Sequence, residues 1–296
     1  MFQQSLDALS LYVCPDTHCQ IAVADVGDTA RTLERNHLCG PIAGLVQAEL
    51  LAVATLFAAW RDDPKETLTL RTVFPEGALE GALVECSPDF SLRGYTRKKL
   101  LPDLDSDVVT PNDALFARAV GNSASCTVLR AAPGGKPVHA HFDLSFEDNV
   151  TAADIAEHYL NDSLQLRALV DLSAASRDYV DFSRALLFEL PPEASDKAYD
   201  ALCDRFDRRE VASFLDHAVS LEDLREFFRL PHLRLEKTYP VRFFCPCSSE
   251  RVLAMLRALP REDLLQMAAK DEPANIYCHM CGKGYAIRPD QIQTLL

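Results

Sequence analysis

Basic side chains are in deficit in this sequence: 30 Lys and Arg stand against 44 Asp and Glu, a formal net charge of -14. Binding along a phosphate backbone needs cations to neutralise the phosphates, so nucleic acid is excluded as a main partner. The surplus of acid favours a soluble, self-repelling surface instead. No basic leader followed by an apolar stretch and a small-residue cleavage site opens the sequence, so the expected compartment is the cytoplasm, where cysteines stay reduced. No glycine-rich phosphate loop is present. No Ser, His and Asp set or suitably spaced carboxylate pair stands out, and the 8 histidines are scattered, so the chain is not read as an enzyme. One long apolar run, 41–60, has the length of a membrane span but has no companion and carries Gln47 and Glu49 near its middle. A carboxylate at that depth costs about 2.5–3.5 kcal/mol. The expectation is a buried helix of a soluble protein with no membrane partner, Pro41 in its first turn and a weakly polar face at Gln47 and Glu49.

What the chain does have is cysteine in pairs. Four of its 10 cysteines fall near the C-terminus as Cys245-Pro246-Cys247 and Cys278-His279-Met280-Cys281, with 30 residues between the pairs. Zinc takes four tetrahedral ligands, and two close pairs brought together by a folded loop supply four thiolates with no open position for a substrate. The expectation is one Zn2+ per chain in a structural site. Thiolates are oxidisable, so a domain hung on four of them loses its metal and its fold together, and a redox switch is chemically available. Two other readings stand beside this one. Cys278 and Cys281 could be a redox dithiol, although Gly282-Lys283-Gly284-Tyr285 reads as a turn, which favours a metal knuckle over the helix start that a reactive dithiol needs. The four could also be unrelated buried cysteines. His279 is expected on the surface, since four thiolates complete the shell. Cys14 and Cys19, with His18 beside them, read as inert or surface thiols rather than a second metal site. Cys39, Cys86, Cys126 and Cys203 carry no assigned role.

With 296 residues, 48% of them apolar, the chain has room for two or three domains. Residues 1–190 read as an α+β domain. A strand over 22–25 leads into a short helix with its arginines and glutamate exposed, and further strands are expected over 67–74, 81–86, 91–95, 125–130 and 139–144. A helix over 150–160 follows, capped by Thr151 with Asp154 at its third position. Pro191-Pro192 marks a boundary, after which 191–237 reads as a helical linker. Its last helix is capped by Ser220 with Asp223 and carries the apolar stripe Leu221, Leu224, Phe227 and Phe228. A connector covering an apolar sheet would, once released, expose a patch able to bind other proteins. Residues 238–296 form the third part: a strand over 241–244, a helix over 250–258 capped by Ser249, a helix over 261–269, strands at 276–277 and 285–288, and a last short helix from Asp290. The fold class is thus α+β: a mixed-sheet N-terminal domain with buried helices, a helical linker and a small C-terminal zinc-binding domain. About sixty residues are marginal alone, and structural zinc contributes on the order of 10 kcal/mol or more.

These features resemble the redox-regulated heat-shock holdases, the 33 kDa chaperonin family. The specific part is Phe244-Cys245-Pro246-Cys247-Ser248 with Glu250-Arg251, then Cys278, Cys281, Gly282 and Tyr285, which match the family's CxC and CxxC zinc motif. Softer matches are the helix around Ala48-Glu49-Leu50-Leu51-Ala52, the strand Leu68-Thr69-Leu70, Arg93-Gly94-Tyr95, Ala119-Val120-Gly121-Asn122 and the order of the three regions. The resemblance implies an ATP-independent chaperone, inactive while Cys245, Cys247, Cys278 and Cys281 hold zinc. On oxidation it implies disulfides Cys245 to Cys247 and Cys278 to Cys281, zinc release, unfolding of the small domain and then the linker, dimerisation, and capture of unfolding proteins. A CxC disulfide closes a small strained ring, which makes it readily reversible. The chain departs from the family pattern at Ser163-Leu164-Gln165, and Val180-Asp181-Phe182 before Ser183-Arg184-Ala185-Leu186 replaces a glycine pair. These differences bear on client preference and activation threshold. The alternative function is a constitutive zinc-bearing adaptor that binds one partner without redox switching.

Overall fold

The computed structural model describes residues 7–61, 63–105, 113–270 and 272–296. The chain divides into two compact units, Met1–Phe243 and Phe244–Leu296. The strands of the large unit are β1 (Ala8–Val13), β2 (Gln20–Asp25), β3 (Thr67–Val73), β4 (Gly81–Cys86), β5 (Ser91–Thr96), β6 (Ser123–Ala131), β7 (Val138–Ser145), β8 (Arg167–Ser176), β9 (Val180–Leu190), β10 (Arg234–Pro240) and β11 (Arg242–Phe243). Its helices are α1 (Gly27–His37), α2 (Pro41–Ala59), α3 (Pro102–Asp105), α4 (Asp113–Val120), α5 (Ala152–His158), α6 (Asp196–Asp207), α7 (Glu210–Phe214) and α8 (Leu221–Phe228). They build a five-stranded sheet of order β10-β1-β2-β9-β8 and a six-stranded sheet of order β11-β5-β4-β3-β6-β7.

The apolar run 41–60 is α2, and 16 of its 19 residues are buried. It packs on β2, β8 and β9 of one sheet and on β3, β4 and β5 of the other, so every side of it is covered, which is why it is apolar all round. Gln47 lies inside this contact rather than on a polar face: it is 1% exposed, and its Oε1 accepts a long bond from the Cys39 thiol at 3.9 Å. Glu34, expected exposed on α1, is also buried. Its carboxylate accepts the Val180 N–H at 2.7 Å, and a Cβ on Gly44 would meet its Oε1 at 2.6 Å, so a larger residue there would have to displace the carboxylate. The capping boxes on α5 (Thr151, Asp154) and α8 (Ser220, Asp223) are both formed.

Strand period sorts β9 into two faces. Ser183 donates to the Ala48 carbonyl of α2 at 3.0 Å, whereas Leu186, Phe188 and Leu190, on the opposite face, share an apolar cluster with Phe206, Val211, Leu215 and Leu224 of the linker. Helices α6, α7 and α8 therefore cover the face of the five-stranded sheet that α2 does not. Polar ties fasten them. The buried Asp171 carboxylate of β8 accepts from Arg209 at 2.6 Å and from the Ala212 N–H at 2.8 Å, Ser173 donates to Asp216 at 2.6 Å, and Arg184 donates to the Leu215 carbonyl at 3.1 Å. Beyond the linker the chain is stitched to both sheets. β10 pairs antiparallel with β1, and Arg242 and Phe243 pair in parallel with Ser91 and Leu92 of β5, shorter than the strand expected over 241–244.

The small unit holds α9 (Ser249–Leu256), α10 (Arg261–Ala268), the hairpin β12 (Ala274–Tyr277) with β13 (Gly284–Ile287), and α11 (Pro289–Gln293). Ser248, not Ser249, caps α9, its hydroxyl accepting the Arg251 N–H at 3.3 Å. Six buried side chains form the core: Val252, Leu256, Leu264, Tyr285, Ile287 and Ile292.

Candidate metal centre

Both cysteine pairs of the small unit lie in short irregular segments next to regular elements. Cys245 and Cys247 precede the Ser248 cap of α9. Cys278 and Cys281 occupy the turn between β12 and β13, closed by Cys278 N–H to the Lys283 carbonyl at 2.9 Å and Gly282 N–H to the Cys278 carbonyl at 2.9 Å. Gly282 has φ +72°, which a glycine adopts without strain, and this explains the glycine directly after the second pair. Residues 31 to 36 positions apart in sequence are thereby brought to one point. The four sulfurs all lie within 4.8 Å of one another, with Cys245 to Cys278 at 3.8 Å and Cys247 to Cys281 at 3.4 Å.

These distances suit a tetrahedral metal. With bonds of about 2.3 Å, four thiolates around zinc stand roughly 3.8 Å apart. The donor set is all sulfur, which selects zinc or another thiophilic ion over magnesium or calcium. All ten cysteines are free, so the four sulfurs of the cluster are available to ligate once deprotonated. His279, as expected, is exposed.

One contributor is not evident from the spacing. The Tyr285 hydroxyl donates to Cys247 Sγ at 3.0 Å. Burial pushes the Cys247 thiol up, yet the bonds from Tyr285, Cys281, Cys245 and Cys278 together hold it below its ordinary value. Burial pushes the Cys278 and Cys281 thiols up, so in the absence of a cation the cluster resists carrying several thiolates at once. A divalent ion reverses that balance. Elsewhere, burial drives the thiols of Cys39 to about 11 and of Cys86 and Cys126 to about 12, which makes them inert at neutral pH. Cys14 and Cys19 are not surface thiols: they are 2% and 3% exposed.

Comparison with known proteins agrees with this arrangement along nearly the whole chain. The family model described as Hsp33 protein matches residues 7–288. The 33 kDa chaperonin of Gloeobacter violaceus is 27% identical over 271 residues, spanning 88% of this chain and 85% of that protein. The 33 kDa chaperonin of Cyanothece sp. is 25% identical over 278 residues, spanning 88% and 87%. In fold, the crystal structure of the 33 kDa chaperonin (heat shock protein 33 homolog) of Thermotoga maritima superposes with a TM-score of 0.78 at 16% identity, covering 97% of each chain. A sheet pair enclosing α2, helices over one sheet face and a C-terminal four-cysteine cluster thus occur in a chain whose sequence matches one family model nearly end to end, and the chain belongs to the Hsp33 family.

Proposed function

We propose that this protein is a redox-regulated, ATP-independent holdase of the cytoplasm. The observation that carries the reading is the set of four thiol sulfurs within 4.8 Å of one another in a unit whose apolar core, among the described residues, is a cluster of six buried side chains. Cys245, Cys247, Cys278 and Cys281 are assigned as ligands of a single Zn2+, which when bound crosslinks the two cysteine pairs. So small a core does not hold some fifty residues folded by itself. Loss of the thiolates therefore removes the fold of the unit.

Two equivalents of peroxide oxidise the four thiols to two disulfides and are reduced to four waters. Each disulfide takes two sulfurs out of the ligand set. The pairing within motifs, Cys245 with Cys247 and Cys278 with Cys281, is the one the family resemblance implies, and the sulfurs need only local movement to reach it. Unfolding of the unit then frees the linker, whose helices of 12, 5 and 8 residues are too short to persist once undocked. The sheet face carrying Leu186, Phe188 and Leu190, together with the linker's own apolar side chains, becomes the surface for unfolding proteins and for a second copy of the chain.

The test is zinc release, read with a chromogenic chelator, alongside light scattering of a thermally unfolding client, with and without peroxide at elevated temperature. About one zinc per reduced chain, lost as scattering suppression appears, is the expected result. Zinc that stays bound, or that leaves with no gain in suppression, replaces this reading with the constitutive adaptor.

A further inference from the structure

Cys14 and Cys19 lie at the mouth of the β1–β2 hairpin. Val13 pairs with Gln20, and one step further the Cys14 N–H donates to the Cys19 carbonyl at 3.0 Å, so the two cysteines face each other across the strands. The turn between them is closed by His18 N–H to the Cys14 carbonyl at 2.8 Å, with His18 at φ 55°. Alternation puts Cys14 on the face of Tyr12 and Cys19 on the face of Ile21, and all four belong to the one apolar cluster beneath the linker. Directly opposed residues have Cβ atoms about 4.5–5.5 Å apart, and a disulfide asks for about 3.5–4.5 Å, a gap that a small hinge in the turn closes. Burial pushes the Cys19 thiol up, the Thr17 hydroxyl, which donates to its sulfur at 3.1 Å, offsets part of this, and the neighbouring Cys14 thiol adds a smaller upward push.

The cover over this pair is the linker. Phe206, Leu215, Leu224 and Leu233 share its cluster, and His232, just past α8, reaches Asp16 in the turn itself. With the linker docked, Cys14 and Cys19 are 2% and 3% exposed, which leaves an oxidant little access to either sulfur.

We propose that Cys14 and Cys19 are a second redox dithiol, sealed by the docked linker and closed to an intramolecular disulfide by peroxide once the linker lifts. The inference rests on linker release as described under the proposed function. One sulfur attacks peroxide, breaking its O–O bond and becoming a sulfenic acid as one water forms. The second sulfur displaces the hydroxyl as the second water, and the S–S bond forms with the loss of both thiol protons. Two electrons pass from the sulfurs to the peroxide. The product crosslinks two strands of the uncovered surface and needs its own reduction before the starting state returns.

Trypsin cuts first after Arg31, so one peptide, 1–31, carries Cys14 and Cys19 and no other cysteine. In the full-length protein, peroxide without linker release should leave this peptide with two alkylatable thiols. Peroxide with release should remove two hydrogens and both alkylation sites. A Leu215→Asp, Leu224→Asp chain, with Cys245, Cys247, Cys278 and Cys281 kept reduced, undocks the linker independently of the switch. Its peptide should oxidise faster than the unaltered chain by on the order of tenfold or more. Protection of Cys86 and Cys126 from iodoacetamide in the same sample reports that the six-stranded sheet remains folded, and slow hydrogen exchange in β9 reports the same of the five-stranded sheet. If the variant fails that control, the unaltered chain in the urea range where the linker is cut at Arg205 and Arg208 but Cys86 and Cys126 stay protected takes its place. A peptide that keeps both thiols, or carries a sulfinic acid or an intermolecular bond, in a chain with the linker undocked overturns the proposal even if client holding is intact. Disulfide formation in the undocked chain, with no peroxide-driven release in the unaltered one, upholds the dithiol and overturns the switch.

Discussion

The five-stranded sheet has two covers, and they are held by different means. On one face lies α2, 19 residues with 16 buried, enclosed between two sheets. On the other lie three short linker helices, amphipathic and partly exposed, fastened by an apolar stripe and a few polar ties. Removing α2 would open the cores of both sheets at once. Lifting the linker opens one face and leaves the sheet with its second cover in place. The comparison teaches that a protein can keep a large apolar surface in reserve when the permanent core and the reserve surface are opposite faces of the same strands.

The largest expected effect tests the permanent cover. Phe57 is 1% exposed in α2 and meets Tyr159 at a tilt of 49°, with ring centroids 4.5 Å apart. Phe57→Ala should cost about 3–5 kcal/mol and lower the thermal midpoint of the whole large unit in a single transition. A loss confined to the linker would break the distinction between the covers.

Leu224→Ala tests the other side. Leu224 is fully buried in α8, and its truncation should weaken linker docking by about 2–4 kcal/mol. Hydrogen exchange should quicken over 196–230 while β3, β4 and β9 keep their protection, and the zinc-loaded, reduced chain should gain part of its client-holding capacity. A uniform rise in exchange over the sheets would show that the linker is as integral as α2.

How far these features could be read from sequence depends on the same two faces. β3 and β6 alternate buried and more exposed side chains, so a period of two announces them. β8 and β9 are covered on both faces, their apolar residues run on without alternation, and the rule that found β3 passes over them. β1 loses its register at Leu11 and Tyr12, where its pairing with β10 shifts, and β10 is an exposed edge strand whose polar sequence carries no strand signal. The four-cysteine cluster was legible because the members of each pair are two or three residues apart in sequence. The Tyr285 bond to Cys247 was not, because it joins residues 38 apart through the fold of the small unit. Nor was the tie from Asp171 to Arg209 and Ala212, which depends on which face of β8 meets the linker.

Acid titration sharpens the comparison further. Burial pushes the Glu157 carboxyl up to about 7 and the Asp7 carboxyl up to about 6. Glu157 accepts the Val170 N–H at 2.8 Å, and Asp154, Asp171 and the linker's Asp207 raise it further. An acid whose pKa is higher in the folded state binds more protons folded than unfolded between the two values, so stability falls as pH rises through that interval. The thermal midpoint of the large unit should therefore increase as pH is lowered from about 7.5 towards 5, within the interval these two carboxyls set. Glu157→Gln keeps an acceptor for Val170 and should flatten much of that slope. An unchanged slope would remove Glu157 as its source.

The smallest effect concerns how the releasable cover is fastened. Arg209 is 62% exposed as a side chain and the Asp171 carboxylate it meets is 3% exposed, so most of the guanidinium remains in water and its pull is screened. Asp171 also keeps the Ala212 and Leu172 N–H groups, at 2.8 and 2.9 Å. Arg209→Met, which retains the aliphatic stem, should therefore weaken linker docking by only about 1 kcal/mol, seen as a several-fold faster exchange in α6 and α7 with no shift in the main thermal transition. Added salt should weaken docking in the unaltered chain and change little in the variant, because only the former has a charge pair to screen. Equal salt sensitivity in both would mean that the apolar stripe alone holds the linker, and that Asp171 serves the backbone of α7 rather than the charge of Arg209.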